Sequence, residues 1–199
     1  MEKYRIILAS ASPRRREILG SLGVSFTVLA ADADENCDAS DPIQYAEELA
    51  GRKGRAVAQT VRDSEAVVLS ADTIVVCDGE ILGKPKDRED AIRMISMLSG
   101  RSHYVITGVG VTYKGVTYTD HSKTEVRVDC IPPTEIERYV DTGDCYDKAG
   151  SYGIQGAFSR WISGIDGCYF GVVGFPINCL ASLYKRVTGR ELTEAADAE

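Results

Sequence analysis

An early segment, Tyr4 to Ala9, is dominated by apolar residues, and the pattern returns on a larger scale over 66–77, where Ser70, Asp72 and Thr73 are the only polar residues in a β-branched stretch. Apolar runs without polar alternation predict strands covered on both faces. Between the two runs the pattern switches to the helical period. Ser12-Pro13 supplies a cap and a first helical residue, Ile18, Leu19 and Leu22 form a stripe, and Gly23 marks a stop. Asp41-Pro42 starts a second helix in the same way, with Ala46, Leu49, Ala50, Lys53 and Val57 on one face and an end near Val61. After Cys77, the Asp78-Gly79 pair predicts a hairpin that folds Glu80 to Leu82 back. A third helix runs over 88–98 and closes at Gly100.

The later half reads differently. Two long strands, Tyr104 to Tyr113 and Val116 to Cys130, meet at Lys114-Gly115 in a hairpin expected beside the central sheet. Pro133-Thr134 opens a short helix that stops at Gly143, and 143–156 forms a Gly-rich loop. Strands are predicted near 158–162 and over 168–173, around an Asp166-Gly167 turn. A last helix spans Pro176 to Gly189, and the acidic tail 191–199 is expected to fray with little to pack against. Helices alternate with strands early and hairpins dominate late, which predicts an α/β fold with a mixed, twisted sheet and helices on its faces. Residues 1–190 are expected to make one domain, followed by the tail. There is no internal repeat or low-complexity linker.

Composition narrows the function classes. The chain has 199 residues, 44% of them hydrophobic and 27% charged, an ordinary globular balance. A net charge of −7 argues against a nucleic-acid binder, which needs an excess of Lys and Arg on one face. No secretory leader and no apolar run long enough for a membrane span is read, so a cytoplasmic protein without membrane contacts is expected. The six cysteines are scattered without a C-x-x-C pair and only His103 and His121 are available to help them, so free thiols are expected rather than disulfides or zinc.

Several residues invite chemistry. Ser10-Ala11-Ser12-Pro13-Arg14-Arg15-Arg16 puts three arginines into a first helical turn, where cations oppose the helix dipole. Either this is a solvated basic turn, or a phosphate binds there on the free amides, the hydroxyls and the guanidinium groups. Lys53 continues an apolar helical face, so it either snorkels at the edge or directs its ammonium to an anion. Asp72 lies in the most apolar strand, where an uncompensated carboxylate is costly, so it requires a partner or a task. Gly79 to Lys84 has the wrong spacing for a Walker loop, and Pro85 stands where Ser or Thr is required, leaving Lys84 as either a site residue or a plain loop lysine. The run from Asp147 to Gly156 combines glycines with Gln155, whose amide can both donate to and accept from a base edge, or can serve a compact structural turn. His103 reads as a structural histidine.

Taken in order, Ser10-Ala11-Ser12-Pro13-Arg14-Arg15, Ala71-Asp72-Thr73, Gly83-Lys84-Pro85, Ser99-Gly100-Arg101, Thr107-Gly108-Val109, Asp147-Lys148-Ala149-Gly150 and Gly153-Ile154-Gln155-Gly156 resemble the Maf family of nucleotide pyrophosphatases. The resemblance implies two lobes around a central cleft, a homodimer, a divalent cation such as Mg2+ or Mn2+, and cleavage between the α and β phosphates of a small-molecule nucleotide. Carried onto this chain, it makes Asp72 the proton acceptor, with Lys53 and Lys84 neutralising the triphosphate and the departing pyrophosphate. Ser10, Arg14 and Arg15 are expected to hold phosphate oxygens, and Glu35 to bind the metal. Arg14, Thr73 and Gln155 resemble the subgroup acting on dTTP and UTP. The rival expectation is a nucleotide-binding regulator of cell division without turnover.

Overall fold

The computed structural model describes residues 4–30, 33 and 37–195, with the side chains of 194 and 195 left aside. Its strands are β1 (Ile6–Leu8), β2 (Phe26–Val28), β3 (Val67–Cys77), β4 (Glu80–Leu82), β5 (Ser102–Tyr113), β6 (Val116–Val128) and β7 (Ile162–Asp166). Its helices are α1 (Pro13–Gly20), α2 (Pro42–Ala58), α3 (Arg88–Leu98), α4 (Pro133–Asp141), α5 (Tyr169–Val173) and α6 (Ile177–Thr188), with short 3-10 turns at Ala149–Ser151, Ala157–Trp161 and Leu192–Ala195. Seven strands form one sheet in the order β2-β1-β3-β5-β6-β7, with β4 paired to β3. The β1 strand runs parallel to both β2 and β3, whereas β3–β4 and β6–β7 are antiparallel, so the sheet is mixed. The long hairpin is therefore part of the central sheet rather than a neighbour of it. Among the described residues no helix is long and apolar enough to cross a membrane.

The chain divides into two compact units, one made of Met1–Asp72, Thr107–Ser122 and Gly174–Glu199, the other of Thr73–Ile106 and Lys123–Val173. Strands β3, β5 and β6 each contribute residues to both. In the first unit, the buried Ile7, Ala9, Val57, Ala66 and Val68 form a cluster between α2 and the strands. In the second, α3 and α4 pack against Val75, Leu82, Val105, Val126 and Val128, together with Tyr139, Tyr152 and Phe158. All six cysteines are free, as expected.

Turn chemistry sets both hairpins. Asp78 and Gly79 have φ of 49° and 82°, and Lys114 and Gly115 have 49° and 79°. Two successive positive φ values match the twist of the flanking strands, and a glycine at the second position carries no side-chain strain there. The first helix stops at Gly20, earlier than Gly23, and the second at Ala58.

Two of the expected strands are absent from the described residues. Residues 157–161 form a 3-10 turn instead of a strand, because Phe158 and Trp161 stack edge to face at 5.3 Å, the eclipsed i and i+3 relation of that helix. The segment from Cys168 to Val173 is helical from Tyr169 onward. Its start is fixed by the Cys168 thiol accepting from the Gly171 N–H at 3.3 Å, and by the Cys168 N–H donating to Thr124 Oγ1 at 2.9 Å. These bonds outweigh the strand preference of the two valines. At the start of the tail Leu192 is only 2% exposed, so the chain there is packed rather than frayed, while residues 196–199 of that expectation lie outside the described residues.

Helix α2 lies unusually close to the sheet. A Cβ at Gly108 would collide with the backbone carbonyl of Ala46, and one at Gly110 would sit 2.5 Å from Ser70 Oγ. From the helix side, a Cβ at Gly54 would meet Ser70 Oγ at 2.8 Å and Thr112 Oγ1 at 2.9 Å. The Ser70 hydroxyl uses this proximity to donate to Ala50 O at 2.7 Å. The obstacle at Gly108 is backbone, which cannot rotate away, so Gly108→Ala is expected to lower stability by about 2 kcal/mol or more in urea unfolding. Gly20→Ala, facing open space, is expected to leave it within about 1 kcal/mol.

His103 gives the second unit a pH dependence. Its ring is 2% exposed, and burial pushes its pKa down from 6.5 to about 4. Between these values the unfolded chain takes up a proton that the folded chain refuses. The histidine's contribution is therefore complete above pH 6.5 and is lost as pH falls toward 4, by up to about 3 kcal/mol. Urea midpoints at pH 7 and 4.5 are expected to differ less in His103→Gln than in the native chain; equal differences would contradict this assignment.

Candidate functional site

The Lys53–Asp72 pair is the centre of the first unit's polar chemistry. Asp72, on β3, is 9% exposed, and its Oδ1 accepts from Lys53 Nζ at 2.5 Å. The contact follows from the helical face anticipated in the sequence: Ala46, Leu49, Ala50 and Val57 of α2 are buried, and Lys53 lies between them with its stem half-covered. Strand alternation puts Ser70 and Asp72 on the same side of β3, and both reach α2.

The basic turn comes to the same strand. Ser12 occupies the cap position of α1 without a side-chain cap bond, and no acidic residue stands in the first turn. Ser10 is buried, and its Oγ accepts from the Ser12 N–H at 3.2 Å and from Arg15 Nη1 at 3.2 Å. Arg15 also donates from Nη1 to Ala71 O at 2.8 Å and from Nε to Gly174 O at 2.8 Å. Its pKa lies below the ordinary guanidinium value, first because of burial, with Asp72 opposing that shift and Arg14 adding to it. Arg15 thus ties three backbone segments together next to Asp72. Arg14, half-buried, stands one residue before it in the same turn.

The remaining expected site residues belong to the second unit or lie outside the described residues. Thr73 follows Asp72 on β3 and is half-buried, Lys84 is exposed just after β4, and Gln155 is exposed in the Gly-rich segment. Glu35 is outside the described residues, so the expected metal ligand has no geometry here. Ser10, Arg15, Lys53 and Asp72 are the expected residues that the first unit gathers along one strand.

The sequence of residues 5–187 matches the family described as Maf-like protein. The chain belongs to this Maf-like family. A relative from Caldanaerobacter subterraneus subsp. tengcongensis, named dTTP/UTP pyrophosphatase, is 44% identical over 187 residues, covering 93% of this chain and 90% of the relative. Another of the same name, from Desulforamulus reducens, is 49% identical over 179 residues, covering 88% and 93%. The structure of the Staphylococcus aureus Ham1 protein aligns with 96% of this chain and 93% of its own at 15% identity, with a TM-score of 0.49.

Among the described residues of this Maf-like chain is a side-chain cluster that the sequence reading missed. Glu47, Asp120 and His121 converge, with ligand atoms within 4.8 Å of one another. Their polar atoms already serve each other and a cation: His121 Nδ1 lies 2.7 Å from Glu47 Oε1, and Arg186 Nη2 lies 3.2 Å from Asp120 Oδ2. They are remote in sequence from the motifs, and no local pattern announces them.

The Lys53–Asp72 ion pair is testable as a unit. Removing one partner strands the other in a poorly hydrated position, whereas removing both does not. Lys53→Met is expected to destabilise by about 1–3 kcal/mol, and Lys53→Met/Asp72→Asn to recover about 1 kcal/mol of that loss in a double-mutant cycle of urea unfolding. Simple additivity of the two substitutions would show that the pair does not couple.

Proposed function

We propose that this Maf-like chain hydrolyses dTTP and UTP to the nucleoside monophosphate and pyrophosphate, working in the cytoplasm as a homodimer. The observation that carries the reading is the Lys53–Asp72 pair beside an arginine-rich helix start, because it sets a carboxylate base among the cations a triphosphate requires. The names of the relatives support the choice of nucleotides.

In this reading the N-terminal turn of α1, with Ser10 and Arg14, holds phosphate oxygens, while Arg15 fixes the turn and adds its charge. Asp72 orients a water and takes its proton as the water oxygen attacks the α-phosphorus in line. The bond from the α-phosphorus to the bridging oxygen breaks, and pyrophosphate leaves with its new charge balanced by Lys84 and Lys53. Asp72 and Glu35 offer carboxylate oxygens, the donor type that Mg2+ and Mn2+ accept, and these two residues would hold the cation. When bound, such an ion supplies further positive charge to the phosphate oxygens. Gln155, with Thr73, reads the base: its amide donates to a carbonyl and accepts from the N3 proton of uracil or thymine, a pairing that cytosine does not offer.

Pyrophosphate release from dTTP, UTP, CTP and modified triphosphates, measured with Mg2+ and with Mn2+, tests the proposal. The native chain is expected to favour dTTP and UTP. Asp72→Asn is expected to lower turnover on the order of a thousandfold while nucleotide binding stays within about tenfold, since it keeps the shape and removes the base. Binding without pyrophosphate release in the native chain would instead identify a regulator.

A further inference from the structure

The loop that carries Gln155 has a buried anchor. His103 Nε2, at the start of β5, lies 2.6 Å from the Tyr152 hydroxyl, and the two rings meet edge to face at 5.3 Å. Tyr152 is 5% exposed and packs on Phe158 at 4.6 Å. It is followed by the half-buried Gly153 and Ile154 and then by the exposed Gln155. Just before it, the Gly150 N–H donates to Gly83 O at 3.0 Å, joining the loop to the residue preceding Lys84. Gly150 has φ of 67°, and any Cβ there would lie 2.9 Å from the Val75 side chain. Ser151, fully buried, donates to Met94 Sδ at 3.1 Å.

The pair is not what packing alone would select. His103 Nδ1 is buried and has no hydrogen-bond partner among the described residues. With the proton on Nδ1 a buried donor lacks an acceptor, and with the proton on Nε2 a bare Nδ1 lacks a donor. Two apolar rings of the same shape would leave no such orphan and could be nearly neutral for stability. What the polar pair adds is direction, since one short bond fixes the tyrosine ring and hence the backbone from which Gln155 departs.

We infer that His103 and Tyr152 are positioning residues of the second unit, whose bond sets the base-reading loop and, through Gly150 and Gly83, the segment bearing Lys84. The catalytic part of this inference rests on the function proposed above; the structural part does not. Loss of a single hydrogen bond of this kind corresponds to about a tenfold change in a local opening equilibrium.

Hydrogen–deuterium exchange on the whole chain tests the structural part directly. In Tyr152→Phe and in His103→Phe/Tyr152→Phe, peptides covering 147–156 and 80–86 are expected to exchange about tenfold faster, with α3 unchanged. Unchanged exchange in those peptides overturns the inference whether or not the chain hydrolyses nucleotides, and equal acceleration in α3 also overturns it, by revealing general loosening of the core. In steady-state assays the double variant is expected to lose about tenfold in kcat/KM for dTTP and UTP and most of their advantage over CTP. His103→Gln, whose amide reaches the place of Nε2, is expected to keep the preference, and the shorter His103→Asn to lose it; identical behaviour of the two overturns the positioning role. A native chain inactive on dTTP and UTP would refute the proposed function alone, leaving exchange to decide the anchor.

Discussion

The approach of α2 to the central strands is the constraint on which the first unit depends. Gly108 and Gly110 on β5 and Gly54 on the helix remove the side chains that would hold the two apart. Only at that separation can Ser70 reach the Ala50 carbonyl and Lys53 reach Asp72. Burying a carboxylate in an apolar strand is unfavourable unless a partner arrives with good geometry. Here the partner arrives because three glycines let a helix settle onto the sheet. The Thr107-Gly108-Val109 motif is thus a packing element that makes an ion pair possible.

Arg15 solves a second problem created by the same strand. Three arginines in one helical turn repel each other and oppose the dipole, a cost that burial of Arg15 increases. The guanidinium is held by Gly174 O, Ala71 O and Ser10 Oγ, so it anchors the turn to the middle of β3 and to the segment entering α6. Arg14 stands beside it in the same turn, half-buried.

Asp72 and Lys53 were legible from the chain because their anomaly is local: a carboxylate inside an apolar strand and an ammonium on an apolar helical face each demand an opposite charge. Both type I′ hairpins were legible for the same reason, since Asp-Gly and Lys-Gly encode two positive φ values in adjacent residues. The ties of Arg15 were not, because Gly174 is 159 residues away in sequence. The segments around Phe158 and Cys168 were misread because their local composition favours strands, while aromatic stacking in one case and bonds to Thr124 in the other decide the outcome. Gly108 was visible as part of a motif, but its reason, the backbone of Ala46, belongs to another element.

The two units handle polar groups in contrasting ways. In the first, charges are paired where they meet the strand, and close packing brings them together. In the second, a neutral pair, His103 and Tyr152, sits in an apolar cluster with one nitrogen left unmatched. A charged histidine could not be accommodated there, and burial keeps the ring neutral far below the ordinary imidazole range, at about 4. Neutrality is what allows a polar bond to serve as an anchor inside an aromatic core without a counterion. The glycines at 150 and 153 then let the backbone turn tightly against Val75 and the Lys148 stem before the chain emerges at Gln155. The order of this segment thus comes from a buried bond at its root, with Gln155 exposed three residues beyond Tyr152.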